Sequence, residues 1–115
     1  MIAPADAGAH RRDLAAMHCR QGAPRLAAAD LAAHLAALPG WSLVADRIEK
    51  TFAFANYHET MAFVNAVAYV AHRQDHHPDL TVGYNRCCIA FSTHDAGGVT
   101  QNDCICAAQV EGLAD

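Results

Sequence analysis

The sequence predicts an α+β fold: a four-stranded antiparallel sheet with three helices packed on one face. Three observations predict it. Apolar residues alternate between helical and strand-like spacing along the chain, in the order helix, two strands, helix, two strands, helix. Each pair of strands is joined by a short polar stretch, as hairpins are. At 115 residues the chain holds one core and is too short for two ordinary domains.

Residues 1–22 mix small, basic and histidine residues without sustained periodicity, and "QGAP" at 21–24 closes them off as a loop does. They read as a flexible N-terminal extension, with Met17 as an alternative start and residues 23–115 as the single domain. Leu26, Leu31, Leu35 and Leu38 in an alanine-rich background predict a helix over 28–38, ended by Pro39-Gly40. "WSLVAD" and "RIEKTFAF" then predict a hairpin turning at "ADR".

In "NYHETMAFVNAVAYVAHRQDHH", Phe63, Val67, Val70 and Ala71 share one side and Met61, Val64 and Ala68 another. That breadth predicts a helix buried on two faces, one against the sheet and one against a second subunit. Pro78 disfavours helical geometry at His77 and predicts the helix end. "DLTVGY" and "RCCIAFST" predict a second hairpin around Tyr84-Asn85, and "THDAGG" a turn. Thr100, with Asp103 three residues on and "CICAAQV" beyond, is the start signal of a last helix.

Composition narrows the function. The formal net charge is -4, and Arg11-Arg12 is the one basic pair, which disfavours direct nucleic-acid binding. Nothing approaches the apolar run that a membrane helix needs, and the first residues lack the core of a secretory signal. The five cysteines are odd in number and lack CxxC spacing, as expected of reduced thiols in a cytoplasmic protein. Large core residues are scarce among the alanines, which points to oligomerisation. GxGxxG, GK[ST] and GxSxG motifs are absent.

The chemistry concentrates in "HRQDHHPDL" at 72–80. His10, His18, His34 and His58 stand alone and read as bland. His72 and His76 are spaced i, i+4, and His77 sits at the bend before Pro78. Three uses of these imidazoles compete. A metal would take His72 and His76 with His94 or Asp103 as a third ligand, but no HExxH, carboxylate repeat or thiol pair flanks them. Helix capping would use their cationic forms beside the negative end of the dipole. Acid-base chemistry would use a pKa near neutrality, with His76 and His94 facing one pocket if the second hairpin folds back.

The run "HRQDHHPDLTVGYNRCCIAFSTHDAGGVTQND" resembles the signature of the pterin-4a-carbinolamine dehydratase family, through His72, His76-His77-Pro78, Tyr84, His94 and Asp103. "LAALPGWSLV", "IEKTFAF" and "MAFVNAVA" extend the resemblance to residues 26–113. It differs from familiar members at His72, where an acidic residue is frequent, at Leu80, where tryptophan is, and at Asn102, where some have arginine. The resemblance implies three helices on a four-stranded antiparallel sheet, and homodimers or homotetramers.

It also implies dehydration of a 4a-hydroxytetrahydropterin to the quinonoid dihydropterin plus water, with a pterin substrate and no cofactor or metal. On that basis His76, His77 and His94 are the expected catalytic residues. His76 and His94 form the acid-base pair, with His77 as substrate binder or second proton carrier. Pro78, Thr93, Asp103 and His72 are expected around the substrate, with Asp103 orienting an imidazole. Two rival readings remain: a protein-binding coactivator role, as in some family members, and a small histidine-based metal-binding protein.

Overall fold

The computed structural model describes residues 4–114. Within them run α1 (Pro4–Ala15), α2 (Ala28–Ala36), β1 (Ser42–Val44), β2 (Arg47–Ala53), α3 (Tyr57–Gln74), β3 (Asp79–Val82), β4 (Arg86–Phe91) and α4 (Gln101–Ala114), with a 3-10 turn at His94–Ala96. The strands form one antiparallel sheet in the order β1-β2-β4-β3. Directly opposed residues share a face of such a sheet. The pairs Ile48 with Phe91 and Phe52 with Cys87 therefore lie on one side, and all four are buried. On the other side Thr51 and Thr81 flank Cys88 and are exposed.

α3 and α4 pack against each other and on β4, while α1 packs on α4 and touches α2. Enclosed on several sides, α4 is buried along most of its length, from Asn102 to Ala108 and again at Val110 and Glu111. Its run of cysteine and alanine suits that position, because small side chains let neighbouring elements approach closely.

The four helices found among the described residues exceed the three expected. The additional one, α1, falls in the stretch read from sequence as an extension; residues 1–3 of that stretch lie outside the described residues. Leu14, 1% exposed, joins the core from it. Periodicity misses α1 because Leu14 is the one large apolar residue between Pro4 and Ala15. His10 Nε2 lies 2.8 Å from His34 Nδ1, so α1 is also tied to α2. Burial, then the charge of His10, lowers the pKa of His34.

α3 begins at a cap: Asn56 accepts the Glu59 N–H through its side chain at 2.9 Å. Phe63, Val67, Val70 and Ala71 are buried, the face expected, and Thr60 is buried with them. Of the second face, Met61 and Val64 are half-buried and Ala68 is exposed.

The helix end differs from expectation. Asp75 takes the left-handed conformation, φ 49° and ψ 43°, and closes α3 three residues before Pro78. Its N–H donates to the His72 carbonyl at 3.2 Å, and the His76 N–H donates to the Ala71 carbonyl at 3.1 Å. This is a Schellman end, which Asp tolerates better than most residues. His76 therefore lies outside the helix and does not share a helical face with His72.

A polar network crosses the opposite end of the core. Trp41 Nε1 donates to Glu111 Oε2 at 3.0 Å, and Lys50 Nζ lies 2.8 Å from the same oxygen. Lys50 points inward opposite Ile89 and passes close over Gly40, where a Cβ would meet its Cε at 2.8 Å. The φ of 84° at Gly40 favours glycine independently.

Candidate active site

Asp103 is the third residue of α4 and has no exposed surface. The Thr100 N–H donates to its Oδ2 at 2.8 Å, and the Asn102 N–H donates to Thr100 Oγ1 at 3.2 Å. This reciprocal cap starts the helix and fixes the carboxylate. Thr93, just past β4, donates from Oγ1 to the same Oδ2 at 2.9 Å and lies 2.8 Å from Thr100 Oγ1. Since the Thr93 hydrogen is committed to Asp103, Thr100 donates to Thr93.

Oδ1 is left for His76. Its Nε2 lies 2.5 Å from that oxygen, and its ring stacks on Phe91 with 9° between planes and centroids 6.1 Å apart. The Schellman turn and β4 thus bring the imidazole onto a carboxylate at the start of another helix. The hydrogen bond to Asp103 raises the pKa of His76, against the opposing effect of burial and aided by the charges of Asp103, Cys19 and Asp75. A raised pKa favours imidazolium near neutral pH, a form that donates protons.

His76 and Thr93 line a cavity of about 1000 Å³, whose opposite wall is the segment 19–25. Cys19 donates its N–H to Gln74 Oε1 at 2.8 Å, and its Sγ lies 3.6 Å from Cys106 Sγ. That contact lowers the pKa of Cys19 and raises that of Cys106.

The expected site residues divide. His76, Thr93 and Asp103 are brought together. His72 is exposed in the last turn of α3, His77 is exposed and Pro78 half-buried in the link to β3, and His94 is exposed at the start of the 3-10 turn. None of these four lines the cavity. Among the described residues no three His, Cys, Asp or Glu side chains are grouped to hold a metal, so His72, His76 and His94 do not form the ligand set of the metal reading.

A family model described as pterin 4 alpha carbinolamine dehydratase matches residues 24–113. The chain belongs to that family. Relatives named "Putative pterin-4-alpha-carbinolamine dehydratase" include one from Chromobacterium violaceum, 61% identical over 69% of this chain and 73% of its own length. Another, from Nitrosospira multiformis, is 48% identical over 88% of this chain and 92% of its own. Among solved structures, one described as a transcriptional coactivator/pterin dehydratase from Brucella melitensis is similar with a TM-score of 0.76 and 31% identity, over 79% of this chain and 99% of that one. A pterin dehydratase-like protein described as a RuBisCO assembly factor in the alpha-carboxysome is similar with a TM-score of 0.54 and 25% identity, over 64% and 86%.

The dehydratase-family match begins at residue 24, so most of the 19–25 wall and all of α1 precede it. Sequence reasoning assigned no site role to Cys19, Arg20, Arg25, Arg73 or Gln74, and noted Thr100 only as a helix start. The contacts of Cys19, Arg20 and Gln74 join positions 55 to 87 residues apart and leave no local pattern. Asn102, which departs from some family members, was the one available signal, and it is the residue that holds Arg20 in place.

Proposed function

We propose that the chain dehydrates a 4a-hydroxytetrahydropterin to the quinonoid dihydropterin plus water by histidine acid-base catalysis. The observation that carries this reading is an imidazole at a cavity wall, its pKa raised by a buried carboxylate, in a chain of the dehydratase family. The reaction breaks the C4a–O bond, releases the hydroxyl as water and removes the N5 proton. No electrons leave the substrate. His76, as imidazolium, is the acid that protonates the departing hydroxyl.

His94 is the base for N5. It follows Thr93, whose hydroxyl binds the other oxygen of the same carboxylate, and its side chain is exposed. His77, next to His76, is the second proton carrier. Positioned groups of this kind contribute about 10²- to 10⁴-fold.

Stopped-flow absorbance of the 4a-carbinolamine, with and without the protein, tests the reading. Accelerated decay is expected, with loss of the gain in His76→Ala/His94→Ala. Equal decay with and without the protein rejects it. A second reading, protein docking, draws on the likeness to the structure described as a transcriptional coactivator/pterin dehydratase. It predicts that the same double variant, inactive in dehydration, still captures a partner.

A further inference from the structure

The wall formed by residues 19–25 is fastened at both ends. Asn102, 7% exposed, accepts the Arg20 N–H at 3.1 Å and donates from Nδ2 to the Arg20 carbonyl at 2.7 Å. The Cys19 N–H is held by Gln74, and at the far end the Leu26 N–H donates to the Val99 carbonyl at 2.9 Å beside the Arg25 to Thr100 bridge. A segment tied this way has a fixed place, and it carries Arg20 and Arg25 onto the cavity. Arg73, from the last turn of α3, lines it too.

Three of the chain's eight Lys and Arg residues thus line one cavity, in a chain whose formal net charge is -4. Asp75 and Asp95 also line it, yet among the described residues none of the three guanidinium groups is in an ion pair. Arg73 lies over the Tyr69 ring at 5.8 Å, and the Arg25 side chain lies along Gly98, where a Cβ would meet its Nε at 2.9 Å. Guanidinium forks match phosphate and carboxylate groups in a bidentate manner, and partial enclosure strengthens the attraction. The volume is at the upper end of the roughly 300–1,000 Å³ of small-molecule clefts. Room therefore remains beside a bicyclic ring for a charged side chain.

We propose that Arg20, Arg25 and Arg73 form an anion subsite beside His76, and that the preferred pterin carries a phosphate or carboxylate group on its side chain. This rests on the pterin reading above and narrows it to a substrate class.

The test is equilibrium binding to the intact chain, read by quenching of pterin fluorescence. The probes are 6-hydroxymethylpterin, its monophosphate and 6-carboxypterin, so that neutral, phosphate and carboxylate forms are compared on one ring. At least one anionic probe is expected to bind tenfold or more tightly than the neutral one at low salt, with the advantage shrinking as salt rises. In Arg20→Ala/Arg25→Ala the ratio of anionic to neutral affinity falls toward one; in Arg86→Ala, on β4, it persists. The wall's ties to residue 20 are backbone bonds, so the substitution leaves them available, and Arg20→Lys/Arg25→Lys restores part of the ratio.

Equal affinity for all three probes overturns the proposal, as does a ratio that survives the double alanine variant. Turnover is a separate readout. If the carbinolamine decays no faster with the protein while the anionic preference holds, the dehydratase reading falls and the subsite stands. If no probe binds, the subsite falls and turnover alone decides the dehydratase reading.

Discussion

His76 and Asp103 meet at 2.5 Å, Nε2 to Oδ1, across 27 positions of chain. The bond joins a residue just past the end of α3 to the first turn of α4, and it engages Nε2, leaving Nδ1 as the ring nitrogen not bound to Asp103. Replacing Asp103 by Asn removes the charge and keeps the shape. The expected result is a fall in the His76 pKa, seen by NMR titration, and a drop in dehydration rate on the order of a hundredfold, within the range for positioned acid-base groups. The alkaline limb of the pH-rate profile, where His76 loses the proton it donates, should move with the NMR value. An unchanged titration would remove Asp103 from its positioning role.

The same bond gives stability a pH dependence of definite sign. The folded His76 pKa lies above the ordinary 6.5, so its contribution is complete below pH 6.5 and is lost as pH rises through the folded value. Urea midpoints of the wild type and of His76→Gln should therefore converge on going from pH 6 toward alkaline pH. His34 has the opposite sign. Its pKa is lowered, so its contribution is complete above pH 6.5 and is lost as pH falls through the folded value. His34→Gln should flatten the acid side of the stability curve.

Thiol reactivity should follow environment. Cys19 is partly exposed on the cavity, with its pKa lowered by the hydrogen bond from Cys106. Burial pushes Cys87 up and Cys104 up to about 12, and the Cys19 contact raises Cys106. Limiting iodoacetamide followed by peptide mass spectrometry should label Cys19 ahead of these three. Earlier labelling of Cys104 or Cys106 would contradict the packing of α4.

Leu14→Ala tests whether α1 belongs to the core. Truncating a fully buried leucine costs about 2–5 kcal/mol, depending on how far the site collapses. A urea midpoint within error of wild type would mean that α1 contributes no packing in solution.

Much of this was legible in the sequence. α2, α3 and both hairpins follow the spacing of large apolar residues, and Thr100 with Asp103 marks the start of α4. Pro78 is the louder signal in the sequence and points past the end of α3, because Asp75 adopts a left-handed turn that no apolar pattern records. α1 was missed because one leucine gives no periodicity. In the site, His76, Thr93 and Asp103 were legible through a motif. The wall was not: Arg20 and Asn102 are 82 positions apart, and only the folded chain pairs them.

Asp103 both starts a helix and anchors an imidazole. Readiness for proton transfer is therefore coupled to the fraying of a single helical turn: each opening of that turn sets the ring adrift. Deuterium uptake at the Thr100 amide, which donates to the same carboxylate, would time how often that happens.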